Sequence, residues 1–130
     1  MGPIQAVSSV LSNFATFKGR ACRSEFWWWW LFTMIVGILI AGTAMTTRDN
    51  MFLMIFYVVI FIPNLAVTVR RHHDGNRSGW WILLCIIPLL GPLFLLFLYA
   101  SKGTDGPNIY GPDPLGPEDD YRLRPNSNQP

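Results

Sequence analysis

Three long stretches of this sequence contain no Asp, Glu, Lys or Arg, and they constrain the fold more than any other feature. They run over residues 26–47, 50–69 and 78–101, so all ten basic and all eight acidic side chains lie outside them. About 20 apolar residues in a helix cross the hydrocarbon core of a bilayer, which is about 30 Å thick. The pattern predicts an integral membrane protein. It excludes an ordinary soluble enzyme, a disulfide-rich secreted module and a disordered chain.

The predicted fold is all-α, with a membrane domain over residues 1–100 and an irregular, Pro/Gly-rich extended tail over residues 101–130. The tail has no hydrophobic period, so we expect it to be partly disordered unless it lies on a partner or on the membrane surface. Three transmembrane helices are predicted, over residues 26–45, 51–69 and 80–99.

An N-terminal amphipathic helix is predicted before the first span, over residues 4–18. Apolar residues recur there at spacings of three and four, from Ile4 to Phe17, which places them on one helical face. Such a helix can lie flat in the membrane interface, or it can pack on loops of the protein itself. Both arrangements fit the pattern.

Prolines interrupt the second and third predicted spans. Pro63 lacks a backbone N–H and should kink or break its helix near residues 59–63. Asn64 beside it should face protein or satisfy the backbone groups that Pro63 frees. Pro88 and Pro92 make the third segment either a bent helix or two short halves, and a re-entrant segment would fit the same pattern.

Tryptophans and small residues predict which helix surfaces meet lipid headgroups and which meet other helices. Indole rings prefer the headgroup boundary, so the six tryptophans predict an interfacial aromatic belt. Its members are Trp27, Trp28, Trp29, Trp30, Trp80 and Trp81. Gly37 and Ala41 lie one helical turn apart, and small residues at that spacing allow close helix packing.

The segment from Arg70 to Trp81 is the most polar part of the chain, yet it predicts neither a metal site nor a catalytic site. His72 and His73 are adjacent and therefore point to different faces of a helix or strand, and no second His or Cys cluster completes a ligand set. The sequence contains no nucleophile motif and no phosphate loop. We therefore expect no enzyme activity, no cofactor and no metal. The net charge of +2 is too small to indicate a nucleic-acid partner.

Three motifs resemble those of a known family. Residues 19–27 resemble the pattern G-R-x-x-R-x-E-[FY]-W, residues 70–81 resemble R-R-x-H-D-x-x-R-S-[GA]-W-W, and residues 106–114 resemble G-x-N-x-[FY]-G-x-D-P. The chain is thereby similar to the YhaH-like family of small bacterial inner-membrane proteins, a family of unknown function. The resemblance implies a multi-span protein of the bacterial inner membrane, and it implies no reaction.

Charged residues of the first two motifs are expected at one membrane surface. We expect each acidic side chain to pair with an arginine of the other motif: Glu25 with Arg70 or Arg71, and Asp74 with Arg20 or Arg23. In one interpretation these ion pairs clamp the helices together, and in the other the arginines bind lipid headgroups. The residues of this clamp or headgroup site are Arg20, Arg23, Glu25, Arg70, Arg71, Asp74 and Arg77.

Basic residues near the spans predict the orientation of the chain. Six lie on the side of the N-terminus and second loop, and two lie on the other side. The six are Lys18, Arg20, Arg23, Arg70, Arg71 and Arg77, and the two are Arg48 and Lys102. Because basic residues concentrate on the cytoplasmic side, the N-terminus is predicted to be cytoplasmic. Three spans would then place the C-terminus in the periplasm.

Three classes of function fit these features. The favoured one is a non-catalytic accessory or structural subunit that packs against a larger respiratory, photosynthetic or transport complex, with Ile109 and Tyr110 as apolar anchors of the tail. The second is a lipid-handling protein that binds anionic lipid through the arginine-rich second loop. A small channel or transporter is less favoured, because no ionisable residue lies deep in a predicted span.

Overall fold

Helices account for the regular structure of residues 2–115, the part of the chain that the computed structural model describes. No β-strand occurs among these residues, so the predicted all-α class is confirmed. The helical segments are α1 (Pro3–Ser12), α2 (Arg23–Thr47), α3 (Met51–Asp74), a 3-10 helix (Gly79–Ile86) and α4 (Leu90–Ala100).

Two of these helices, α2 and α3, are long and apolar enough to cross a membrane, whereas α4 is a shorter apolar helix. They have 25 and 24 residues. At 1.5 Å of rise per residue, each is roughly 36 Å long, which exceeds the hydrocarbon thickness of a bilayer. They contain the first two predicted spans, residues 26–45 and 51–69, and most of their large apolar side chains are exposed.

Contacts divide the chain into two compact units. The first unit contains the described residues up to Thr16 together with Ser24–Val67. The second contains Phe17–Arg23 together with the described residues from Thr68 onward. The backbone of α3 therefore continues from the first unit into the second.

The first unit begins with α1, which is shorter than the sequence predicts. Pro3 has a fixed φ that suits the first helical position, and the Gln5 side chain accepts a hydrogen bond from the Gly2 N–H at 3.1 Å. The helix ends at Ser12, because the side-chain amide of Asn13 donates to the Ser9 carbonyl at 2.8 Å. This side-chain bond competes with continuation of the helix. The prediction of one helix over residues 4–18 is therefore wrong for residues 13–18.

The two sides of α1 have different roles in the first unit. Ala6 and Val10 are fully buried, and the Ser9 hydroxyl donates to Glu25 Oε1 at 2.9 Å. Larger apolar side chains face outward, and Ile4 is 85% exposed. A helix with this arrangement packs on its own protein through small residues and offers its bulky ones to a lipid or protein surface.

A polar bond and a close helix approach join α2 to α3 in the first unit. The Trp29 indole N–H donates to Asn64 Oδ1 at 2.6 Å. A Cβ atom at Gly37 would lie 3.4 Å from the Phe56 ring, which is ordinary contact distance or slightly closer. The helix α3 runs unbroken through Pro63, so the predicted break near residues 59–63 does not occur. One missing N–H removes one backbone bond, and the neighbouring helix supports the segment around it.

The third apolar segment folds as a hairpin of two short helices in the second unit. The 3-10 helix ends at Ile86, and Leu89, with φ 65°, reverses the chain before α4. The two arms pack against each other, and a Cβ atom at Gly91 would lie only 1.8 Å from the Leu84 carbonyl oxygen. Glycine is therefore required where the arms cross.

In place of one continuous helix over residues 80–99 the structure has two short helices, which is one of the alternatives that Pro88 and Pro92 predict. Arg77, just before the hairpin, donates to the Leu98 carbonyl at its far end, and Arg71 in α3 donates to the Tyr99 carbonyl. Both ends of the segment therefore lie together. The tail therefore begins beside the second loop, as the re-entrant alternative predicts, and the membrane side of the C-terminus stays a prediction. Pro88 lacks the N–H that would continue the first arm, which is the physical reason for the reversal.

Replacing Gly91 by alanine should open or strain the hairpin, because the new methyl group would overlap the Leu84 carbonyl. We expect a loss of about 1–3 kcal/mol, as for other overpacked sites. The thermal unfolding midpoint of the purified protein in mild detergent measures it. Gly42→Ala is the matched control, since a Cβ atom there meets nothing within 4 Å. Equal midpoints for the two variants would contradict the hairpin packing.

Candidate functional site

The C-terminal turn of α3 carries five consecutive polar residues that are all buried. They are Arg70, Arg71, His72, His73 and Asp74, and the side chains of Arg71 and His72 are fully buried. Buried charges are costly unless they are paired and hydrogen-bonded. We call these five residues the motif cluster. The partners of their side chains determine how the buried charges are compensated.

Asp74 is the centre of the motif cluster. Arg20 binds its Oδ1 atom through two nitrogens, with Nε at 3.0 Å and Nη2 at 2.9 Å. Arg71 binds the other carboxylate oxygen through Nη1 at 2.6 Å. One carboxylate thus holds two guanidinium groups, one from the first sequence motif and one from the second. Charge-assisted bonds of this kind are about twice as strong as neutral ones.

Backbone carbonyls take up the remaining donors of these two arginines. Arg20 donates to the carbonyls of Thr104 at 2.6 Å and Gly106 at 2.7 Å. Arg71 donates to the carbonyls of Tyr99, at 3.1 Å, and Ser101. The arginines therefore attach the end of α4 and the start of the tail to α3.

The third sequence motif folds into a closed turn on this cluster. Asn108 and Gly111 exchange two backbone hydrogen bonds, and the Asp113 carboxylate accepts from the backbone N–H groups of Gly106 and Leu115. The Asn108 amide also donates to the His73 carbonyl at 2.9 Å. The tail is thus ordered through residue 115, which corrects the expectation of a largely extended segment.

The two predicted tail anchors have different environments. The Tyr110 ring stacks on the His73 ring with centroids 4.0 Å apart and an interplanar angle of 1°. Ile109 is 81% exposed. Tyr110 therefore anchors the tail on the chain's own histidine. The sequence pattern predicts instead that Tyr110 anchors the tail on another protein.

The two histidines make separate contacts in the second unit. His73 Nδ1 lies 2.9 Å from the Gly19 carbonyl, and His72 Nε2 lies 3.2 Å from the Tyr99 hydroxyl. His72 Nδ1 is buried and has no hydrogen-bond partner among residues 2–115.

Tyr99 is a residue of this site that the sequence analysis does not identify, because the apolar pattern places Tyr99 at the end of a lipid-facing span. Its position two residues before a polar segment was the available signal.

Gly103 allows the tail to approach the carboxylate closely. A Cβ atom at this position would lie 2.0 Å from Asp74 Oδ2. Only glycine fits between the tail backbone and the carboxylate, because any side chain would displace one of them. The close approach explains how the Thr104 carbonyl reaches Arg20.

The remaining predicted clamp residues are placed less centrally. Glu25 lies in the first unit, where it accepts from Ser9, and Arg70 lies in the second unit, where its carbonyl accepts from the Ala21 N–H at 3.0 Å. The Glu25 pairing with Arg70 or Arg71 stays a prediction. Arg23 is exposed, and its guanidinium donates a hydrogen bond to the Ala100 carbonyl at 3.4 Å.

Arg77 is half-buried beside the end of α4. It donates to the Leu98 carbonyl at 3.5 Å, and its Nε atom is buried without a hydrogen-bond partner in the described part of the chain. Burial lowers the pKa of the Arg77 guanidinium, and the charges of Asp74 and Tyr99 act in the opposite direction.

The tryptophans do not form one uniform belt. Trp29 is buried and bonded to Asn64, so it is a packing residue of the first unit. Trp28 and Trp30 are partly exposed, and Trp27 makes edge contacts with Phe26 and Trp30. In the second unit, Trp80 is 77% exposed and Trp81 is also exposed. Four consecutive indoles point in different directions around a helix, so at least one had to face protein.

An apolar groove of about 740 Å³ lies between α1 and α2 in the first unit. Its α1 wall includes Ile4, Val7 and Leu11, and its α2 wall runs from Trp28 to Ile35. The lining contains two serines and no charged side chain. No pattern in the sequence indicates this groove, because the groove depends on how α1 lies along α2.

The described residues contain no group of three or more His, Cys, Asp or Glu side chains that could hold a metal ion. Within the motif cluster, the central charged groups are used on one another and on backbone carbonyls. The cluster therefore holds segments of the second unit together.

Replacing Asp74 by asparagine should destabilise the protein strongly, because two buried guanidinium groups would lose their carboxylate. We expect a loss of about 3–5 kcal/mol, as for other buried pairs broken on one side. Unfolding with increasing SDS in mixed micelles measures it. Asp105→Asn is the matched control, since Asp105 and its partner Lys102 are both exposed. Equal stabilities of the two variants would show that the cluster does not hold the fold.

Comparisons with known proteins bear on these observations. A family model described as "Protein of unknown function (DUF805)" matches residues 14–112. The chain is 41% identical over 108 residues to "Inner membrane protein YhaI" of Escherichia coli K12, covering 82% of this chain and 92% of that protein. It is 39% identical over 111 residues to "Inner membrane protein YhaH" of the same strain, covering 81% and 92%. No solved structure matches.

Proposed function

Since this chain belongs to the DUF805 family and is a small inner membrane protein of unknown function, we propose that it is a non-catalytic accessory subunit that packs beside a larger membrane complex. The observation that carries this proposal is the use of the motif charges. Arg20, Arg71 and Asp74 bind one another and backbone carbonyls, so they support the shape of the second unit. A fold maintained in this way needs no substrate.

The proposal includes a topology of two spans and one re-entrant hairpin. The helices α2 and α3 cross the membrane, and the 3-10 helix and α4 enter and leave on the same side. With this arrangement, seven of the eight described Lys and Arg residues lie on the side of the motif cluster, and only Arg48 lies on the other. This excess of basic residues supports a cytoplasmic location for the N-terminus, the second loop and the start of the tail.

Single cysteines should report this topology through a membrane-impermeant thiol reagent. In a background without Cys22 and Cys85, we expect Cys introduced at Asn76 and at Asp105 to react from the same, cytoplasmic side. Cys introduced at Thr47 should react from the periplasmic side. All three positions are exposed, so access to the reagent is not limited by packing. Labelling of Asp105→Cys together with Thr47→Cys would contradict the re-entrant hairpin and restore three spans.

The groove between α1 and α2 is the surface that best suits a partner. Its α2 wall covers residues 28–35, which is about two helical turns and matches the contact length of a crossing helix. Because the lining is apolar and carries no charge, the fitting partner is an apolar transmembrane helix of the larger complex. Such helices associate through packing of complementary surfaces.

Filling the groove should reduce recovery of the partner complex. Val7 lines the groove and is half-buried, so Val7→Phe places a ring inside it. Val58 lies on α3 outside the groove lining and is 73% exposed, so Val58→Phe is the matched control. We expect co-purification in mild detergent to fall several-fold for Val7→Phe alone. Equal recovery for both variants would exclude the groove, and recovery of no partner by the wild-type protein would count against an accessory subunit.

A further inference from the structure

Positive charge is in excess in the second unit. Its described residues include seven Lys or Arg side chains and only three Asp side chains. Lys102 pairs with Asp105, and Asp74 is shared by two arginines. A cluster with this imbalance, near a low-dielectric membrane interior, would be stabilised by an additional anion.

Arg77 and Arg23 make only long hydrogen bonds to the described part of the chain. Arg77 has one hydrogen bond, at 3.5 Å, and its buried Nε has no partner among the described residues. Arg23 is exposed and has one bond, at 3.4 Å. A Cβ atom at Gly75 would lie 2.6 Å from the Arg77 guanidinium carbon, so this group lies directly over the loop. Both arginines retain donors that a ligand can use.

The two guanidinium groups lie at the same end of α4. Arg77 binds the carbonyl of Leu98 and Arg23 binds that of Ala100, both in the last turn. The partial negative charge at a helix C-terminus attracts arginines, but it amounts to only about half an elementary charge. Two full positive charges at this position therefore remain largely uncompensated. A phosphate group supplies the missing charge and several acceptor oxygens.

The surroundings favour a phospholipid as the source of that phosphate. Trp80 follows Arg77 by three residues and is 77% exposed, as is typical of indoles at the headgroup level. Exposed apolar side chains of the hairpin, including Leu83 and Phe97, lie on the same segment and can contact acyl chains. We propose that Arg77 and Arg23 bind the phosphate of an anionic phospholipid at the end of α4.

Lipid binding by the delipidated, full-length protein tests this proposal. Phosphatidylglycerol and phosphatidylcholine would be titrated separately in mild detergent, with bound lipid counted by native mass spectrometry. We expect phosphatidylglycerol to bind more tightly, and Arg23→Gln and Arg77→Gln each to weaken it about fivefold, since each basic residue near an anionic surface contributes by that order. Arg48→Gln, at the opposite end of α2, should bind as the wild-type protein does.

Further variants and a soluble probe separate the proposal from its alternatives. Arg77→Lys keeps the charge and should retain most of the binding, which distinguishes a lost charge from a misfolded loop. Arg23 is exposed, so Arg23→Gln reports binding even if Arg77→Gln is unstable. Equal affinity for the two lipids, or unchanged affinity in both glutamine variants, would overturn the site. Displacement of phosphatidylglycerol by equimolar inorganic phosphate would overturn its assignment to a lipid.

Discussion

The second unit depends on one carboxylate. Asp74 receives Arg20 from the segment before α2 and Arg71 from its own helix, and the same two arginines then bind carbonyls of α4 and the tail. A buried carboxylate with two guanidinium partners is stable only if all their donors are used, because each unsatisfied group would carry a desolvation cost. This requirement brings segments distant in sequence to one place.

The hairpin and the tail follow from that requirement. The carbonyls that the arginines need come from Tyr99 and Ser101 at the end of α4 and from Thr104 and Gly106 in the tail. A third span crossing the membrane would carry these carbonyls away from Asp74. The return of the chain at Pro88 and Leu89 keeps them within reach, and Gly91 allows the two arms of the hairpin to lie close together.

Four of the motif arginines fall into two groups by their contacts. One group supports the fold, and the other is the proposed phospholipid site. Arg20 and Arg71 are buried, fully used and structural. Arg23 and Arg77 lie at the edge of the cluster, with long bonds and remaining donors. The clamp and the headgroup site, which the sequence offers as alternatives, can therefore belong to different residues. The apolar groove of the first unit is a separate surface that suits a partner helix.

The sequence by itself determined the helical class, the two long apolar helices and the family, because uncharged runs, proline positions and short motifs are local properties. It also predicted the pairing of Asp74 with Arg20, which the structure confirms. It did not predict that Trp29 turns inward to Asn64 or that Tyr110 stacks on His73. Only the tertiary structure decided that residues 79–100 form a hairpin and that the tail returns to Asp74. A run of apolar residues has the same composition whether it crosses a bilayer or turns back within it, and the choice is made by distant hydrogen-bond partners.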